Sequence, residues 1–128
     1  MKTSSFYVIA FLLICPAFLS AQAIAGSWMW KGTNPEGKEV KNMITFQEDG
    51  IYKVDLGMNG KYEIEGTYTN ENGQASITDT SEGPCKGITG VYEMKVEENE
   101  MTAKMVSDQC TARAGDDPNR VMTMKRVN

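Results

Sequence analysis

After residue 26, apolar and polar side chains alternate with a period of two, and no stretch carries apolar residues at helical spacing. In the run Lys61-Tyr62-Glu63-Ile64-Glu65-Gly66-Thr67-Tyr68-Thr69, Tyr62, Ile64, Gly66 and Tyr68 take one face. Lys, Glu and Thr take the other, as on a sheet with one dry and one wet side. The pattern predicts strands over 26–31, 39–47, 51–56, 61–69, 74–80, 88–96, 101–108 and 120–127. Asp49-Gly50, Asn59-Gly60 and Asn72-Gly73 supply turns where a glycine can take positive φ. Register follows from keeping apolar faces together, since a slip of one residue would put every apolar side chain in water. A loop at 48–50 pairs Phe46 with Tyr52 and Ile44 with Val54. A loop at 58–60 pairs Leu56 with Tyr62 and Val54 with Ile64. A loop at 97–100 pairs Val96 with Met101, Met94 with Ala103 and Tyr92 with Met105. Every link is hairpin-like. A sandwich and a closed barrel both satisfy such a pattern. The lack of a long crossing favours an all-β, eight-stranded antiparallel up-and-down barrel without a C-terminal helix.

The two ends of this barrel differ. With the first strand running upward, the lower turns are short and rich in Glu and Asp, while three of the four upper loops are long. Long loops at one end mark a mouth. The inward positions are apolar or aromatic below, and the polar ones, Asn42, Asp79 and Ser107, gather at the top. A cavity polar at its mouth and apolar below suits an amphiphile. The residues expected to line it are Trp30, Phe46, Tyr52 and Tyr62, with Tyr92, Met94, Met105 and Met122 from the later strands. The same side chains can equally fill a small barrel as an ordinary core.

Ahead of the strands, Lys2 and an apolar run from Val8 to Phe18 are followed by Ser20-Ala21-Gln22-Ala23. This is the layout of a signal peptide, expected to span 1–23, with cleavage after Ala23 or after Ala25. The apolar run is too short for a good transmembrane helix, and no second one follows. The expected mature domain is 24–128, a monomer exported to the periplasm or beyond the cell. Loss of 1–23 removes Lys2, leaving 12 basic against 17 acidic residues. That balance excludes the basic face of a nucleic-acid binder. It also removes Cys15 and leaves Cys85 and Cys110. Two cysteines in an exported chain read as one disulfide, two buried thiols being the alternative. The register of the 97–100 hairpin sets Cys85 opposite Ala112 and Cys110 opposite Gly87, so both cysteines fall at one end of that hairpin.

The first strand opens Gly26-Ser27-Trp28, and Arg126 faces inward at the same lower end from the last strand. A guanidinium stacked on an indole contributes about 1 kcal/mol or more. The pairing resembles the lipocalin signature, a G-x-W on the first strand with a late Arg packed across the Trp. The order of Ile44-Thr45-Phe46, Asp49-Gly50-Ile51-Tyr52, Gly66-Thr67-Tyr68, Gly90-Val91-Tyr92 and Asp108-Gln109-Cys110-Thr111-Ala112-Arg113 is similar to small bacterial lipocalin-like domains. The resemblance covers nearly all of the expected mature chain. It implies a calycin-type barrel that binds a small hydrophobic molecule. The T-D-Y motif of typical lipocalins is absent, and no helix follows the last strand.

The chain has no His, which excludes His-based triads and the common zinc sites. No cofactor motif is present. A weak calcium site in loop 109–119 is the one metal chemistry left open. The leading expectation is a non-enzymatic carrier of a small hydrophobic or amphiphilic ligand. A protein–protein interaction module, such as a protease inhibitor, is the alternative. An enzyme would need an acid or base inside, where only Asp79, the tyrosines and Arg126 stand.

Overall fold

The computed structural model describes residues 24–127, so the signal peptide read over 1–23 lies outside the described residues. Eight strands follow in order: β1 (Gly26–Thr33), β2 (Glu39–Phe46), β3 (Ile51–Asp55), β4 (Ile64–Glu71), β5 (Gln74–Asp79), β6 (Thr89–Glu97), β7 (Glu100–Ser107) and β8 (Val121–Val127). One short helix, α1 (Thr111–Ala114), interrupts the last connection. Each strand pairs antiparallel with its neighbours in sequence, and β1 pairs with β8 to close a barrel. No helix among the described residues is long and apolar enough to cross a membrane.

The registers read from the alternation hold where the strands are regular. Phe46 faces Tyr52, Ile44 faces Val54 and Val54 faces Ile64. Tyr92, Met94 and Val96 face Met105, Ala103 and Met101. Asn72 and Gly73 both take positive φ, the requirement of a tight two-residue hairpin turn.

Two stretches depart from expectation. The fourth strand starts at Ile64 instead of residue 61, and β3 ends at Asp55. The Asp55 carboxylate accepts the amides of Asn59 and Gly60, and Asn42 Oδ1 accepts that of Gly57. These bonds draw the chain off the ladder, so the expected Leu56–Tyr62 pair does not form. Leu56 is 43% and Tyr62 51% exposed. The Tyr62 ring instead lies under Lys53 Nζ, 5.6 Å away, on the outer wall. The second departure is a bulge at Val91/Tyr92, which sets Val91 opposite Ser107. Ser107, expected inward, is therefore exposed.

The lower end is sealed. Trp28 is fully buried, its Nε1 donates to Ile24 O, and the Arg126 guanidinium lies 4.2 Å from the indole ring. Ile24 is buried beside it, and Arg126 also donates to Ala25 O. Above this floor the barrel is filled by Phe46, Tyr52, Val54, Ile77, Met101 and Met124. Each such side chain contributes about 1.5–3 kcal/mol through burial.

The closing seam is short. β1 and β8 are paired only over Ser27–Met29 and Lys125–Val127. Their upper halves, Trp30 to Thr33 and Val121 to Met124, are not paired with one another, although each keeps its ladder on the other side.

A polar cluster under the upper loops

Two glycines prepare the upper interior. Gly66 pairs with both Tyr52 and Asp79. Because Gly66 has no side chain, the Tyr52 ring crosses it and its hydroxyl donates to Asp79 Oδ1. A Cβ at Gly66 would overlap the Tyr52 ring and the Thr78 carbonyl oxygen. Gly90 does the same on the other side, leaving room for the Asp108 carboxylate and the Tyr92 ring, whose hydroxyl donates to Asp108 Oδ2. Gly66→Ala should therefore lower stability by about 1–3 kcal/mol, the usual cost of overpacking. Urea unfolding measures it, and a loss under about 0.5 kcal/mol, the range of neutral surface changes, would place the Tyr52 ring elsewhere.

Arg113, on α1, joins the two acids. Its Nε and Nη2 form a two-point fork on Asp108 at 2.7 and 2.9 Å. Nη1 donates to Asp79 Oδ1 at 3.0 Å, and Nη2 also reaches Ile88 O at 2.9 Å. The electrostatics follow from this geometry. Burial opposes charge on Arg113, but Asp108 and Asp79 outweigh it and hold the guanidinium's pKa above its ordinary value. Burial alone would raise the Asp108 carboxyl; hydrogen bonds from Arg113, Tyr92 and the Cys110 amide more than offset it, and its pKa falls below the usual range. Burial, with the bonds to Asp79 and Asp108, pushes the phenols of Tyr52 and Tyr92 well up.

The Cys85–Cys110 disulfide anchors this cluster. The cysteines are buried, with Cα atoms 5.5 Å apart, and Cys110 stands directly before α1. The bond ties the start of α1 to the loop that leads from Asp79 back to β6. Closing a segment of this length contributes about 3 kcal/mol in the chain-entropy account.

The expected lining residues separate into three groups. Phe46 and Tyr52 are buried core, and Phe46 makes an edge contact with Tyr68. Trp30, Tyr92, Met94, Met105 and Met122 are half-buried. Tyr62 is outside the barrel. The interior cavity is small, about 20 Å3, and is walled by Tyr92, Ala103, Met105, Met122 and the Arg113 side chain. That is room for about one water. A larger concavity of about 830 Å3 lies on the outer wall at the lower end, between Lys95, Glu97, Glu100 and Lys125. None of the expected ligand-lining residues borders it. Among the described residues no three Cys, Asp or Glu side chains gather to hold a metal.

Arg113 and Asp108 were not legible as site residues. An inward acid such as Asp79 needs a buried cation, and that requirement is the signal that points to Arg113. The sequence matches no protein-family model and shows no significant similarity to a curated protein.

Proposed function

We propose that this barrel is an exported, non-enzymatic binding protein that holds a small amphiphile at its upper end. One observation carries the reading. The half-buried side chains Met105 and Met122 line a small cavity with Tyr92 and Ala103 beneath the long loops, and Trp30 is half-buried on the upper part of β1, while the lower barrel is filled and sealed. The ligand would lie against this upper wall instead of deep in the interior. Met side chains, flexible and polarisable, suit a surface that yields to a guest. The ionisable groups of the polar cluster are committed to one another, which favours binding over catalysis. The closed barrel, its strand order and the Trp28–Arg126 stack support kinship with lipocalin-like domains. The disulfide supports export. The packing of Ile24 and the bond to Ala25 O favour cleavage after Ala23, because a cut after Ala25 would remove both contacts.

A neutral apolar dye, N-phenyl-1-naphthylamine, tests the reading. It should bind the mature protein at one site and quench tryptophan emission, with the quenching lost in Trp30→Phe. Met122→Trp, which fills the small cavity, should block the dye. Asn72→Trp, in a lower turn, should leave it alone. Absence of saturable binding would reject the amphiphile reading. It would also bring forward a protein–protein module, which the exposed Leu56, Met58 and Tyr62 of the β3–β4 loop favour.

A further inference from the structure

We infer that the occupant of the upper end carries an anionic head group and that Arg120 binds it. The inference rests on the amphiphile reading above and names the chemical class of the ligand. Two arginines line the cavity, Arg113 and Arg120, and they are not equivalent. The charge of Arg113 is taken up by Asp79 and Asp108. Arg120 is exposed, and its Nη1 makes one long bond, 3.4 Å, to Ala114 O. Among the described residues no carboxylate stands within ion-pair distance of it. Of the neighbouring acids, Asp117 turns Oδ1 to the Asn119 amide.

Its placement is built in. The chain leaves α1 through Gly115, at φ +76°, and a Cβ there would come within 3.1 Å of Arg120 Nη1. Nη1 thus lies back over Gly115 and the Ala114 carbonyl, and the exposed residue lines the cavity. Beside it lie Met105, Met122 and Ala103. A cation at the edge of an apolar wall attracts an anion more strongly than one in open water. Its planar fork of donors matches a carboxylate, sulfate or phosphate. The cavity at rest has no room for an alkyl chain. The tail would lie against Met105, Met122 and Ala103, beside the unpaired upper halves of β1 and β8, with the methionines moving to admit it. A single-chain amphiphile with an anionic head satisfies both halves of the site. A cationic head would be repelled.

Three twelve-carbon probes that share a tail test this: dodecanoate, dodecanol and dodecyltrimethylammonium, each titrated below its micelle threshold against Trp30 emission. Dodecanoate should bind about tenfold more tightly than dodecanol, the effect of one charged hydrogen-bonding group. The ammonium should bind most weakly. Arg120→Gln should bring dodecanoate to the level of dodecanol without moving the urea midpoint. Arg120→Glu should reverse the order of the two charged probes. If wild type binds all three equally, or Arg120→Gln keeps the preference for dodecanoate, the head-group assignment is overturned while the amphiphile reading stands. If none of the three binds, both fall together.

Discussion

Exchanging Arg113 for methionine should cost the fold about 3–5 kcal/mol, the penalty for leaving a buried ion group without one partner. Asp108 has a fully buried side chain and the Arg113 side chain is only 14% exposed, so water cannot replace what the guanidinium supplies. Methionine keeps most of the stem and removes the charge, which separates electrostatics from packing. The pH dependence sharpens the test. The folded Asp108 has a pKa below its unfolded value of about 4, so its contribution to stability is present above that pH and is lost as pH falls. In Arg113→Met the same carboxylate is buried without its partner, and its pKa should rise instead of fall. Acid should then relieve the variant while it weakens the wild type, and the gap between their urea midpoints should narrow from pH 7 to about pH 3. A loss under about 1 kcal/mol at pH 7, the scale of a solvated pair, would show that the cluster is wet.

Trp28→Ala should destabilise by a similar amount, about 3–5 kcal/mol, as expected for a large core aromatic. The indole is the floor of the barrel. It stands on β1 opposite Arg126 of β8, hydrogen-bonds Ile24 O and carries the Arg126 guanidinium on its face. Trp28→Phe keeps an aromatic floor and loses the Nε1 bond, so it should cost less than alanine. Arg126→Ala removes the stack alone and should cost about 1 kcal/mol. Chemical unfolding of the three variants gives the order. If alanine and phenylalanine at position 28 proved equal, the floor would not depend on filled volume.

Much of the barrel was legible because its regular parts obey one rule, alternation with a dry inner face. That rule is enough to pair Phe46 with Tyr52 and Met94 with Ala103, and to place Trp28 and Arg126 on one floor. It fails where side chains capture loop amides. Nothing in the alternation of residues 51–64 shows that Asp55 bonds Asn59 and Gly60, yet those bonds turn Leu56 and Tyr62 outward. It fails again at the bulge, where one extra residue reverses the facing of Ser107. The helix α1 is four residues long, too short for any periodicity to show. Arg113 was hidden for that reason, since its partners Asp79 and Asp108 lie 34 and 5 residues away along the chain. Gly66 and Gly90 read as inward positions without side chains. Their use is visible only once the Tyr52 and Tyr92 rings are seen beside them.

The brevity of the β1–β8 pairing has a kinetic consequence. Every other hairpin joins segments close in the chain and can form early, whereas closure must bring Arg126 to Ala25 across 101 residues. The entropy of that long loop is spent before its few contacts return anything, so closure belongs late in folding. The same economy works in reverse in the native state. Amides flanking the seam, at residues 30–33 and 121–124, should exchange with solvent through local opening, long before the β6–β7 ladder gives way in global unfolding. A barrel made this way breathes along one line, and that line borders the face where its guest would lie.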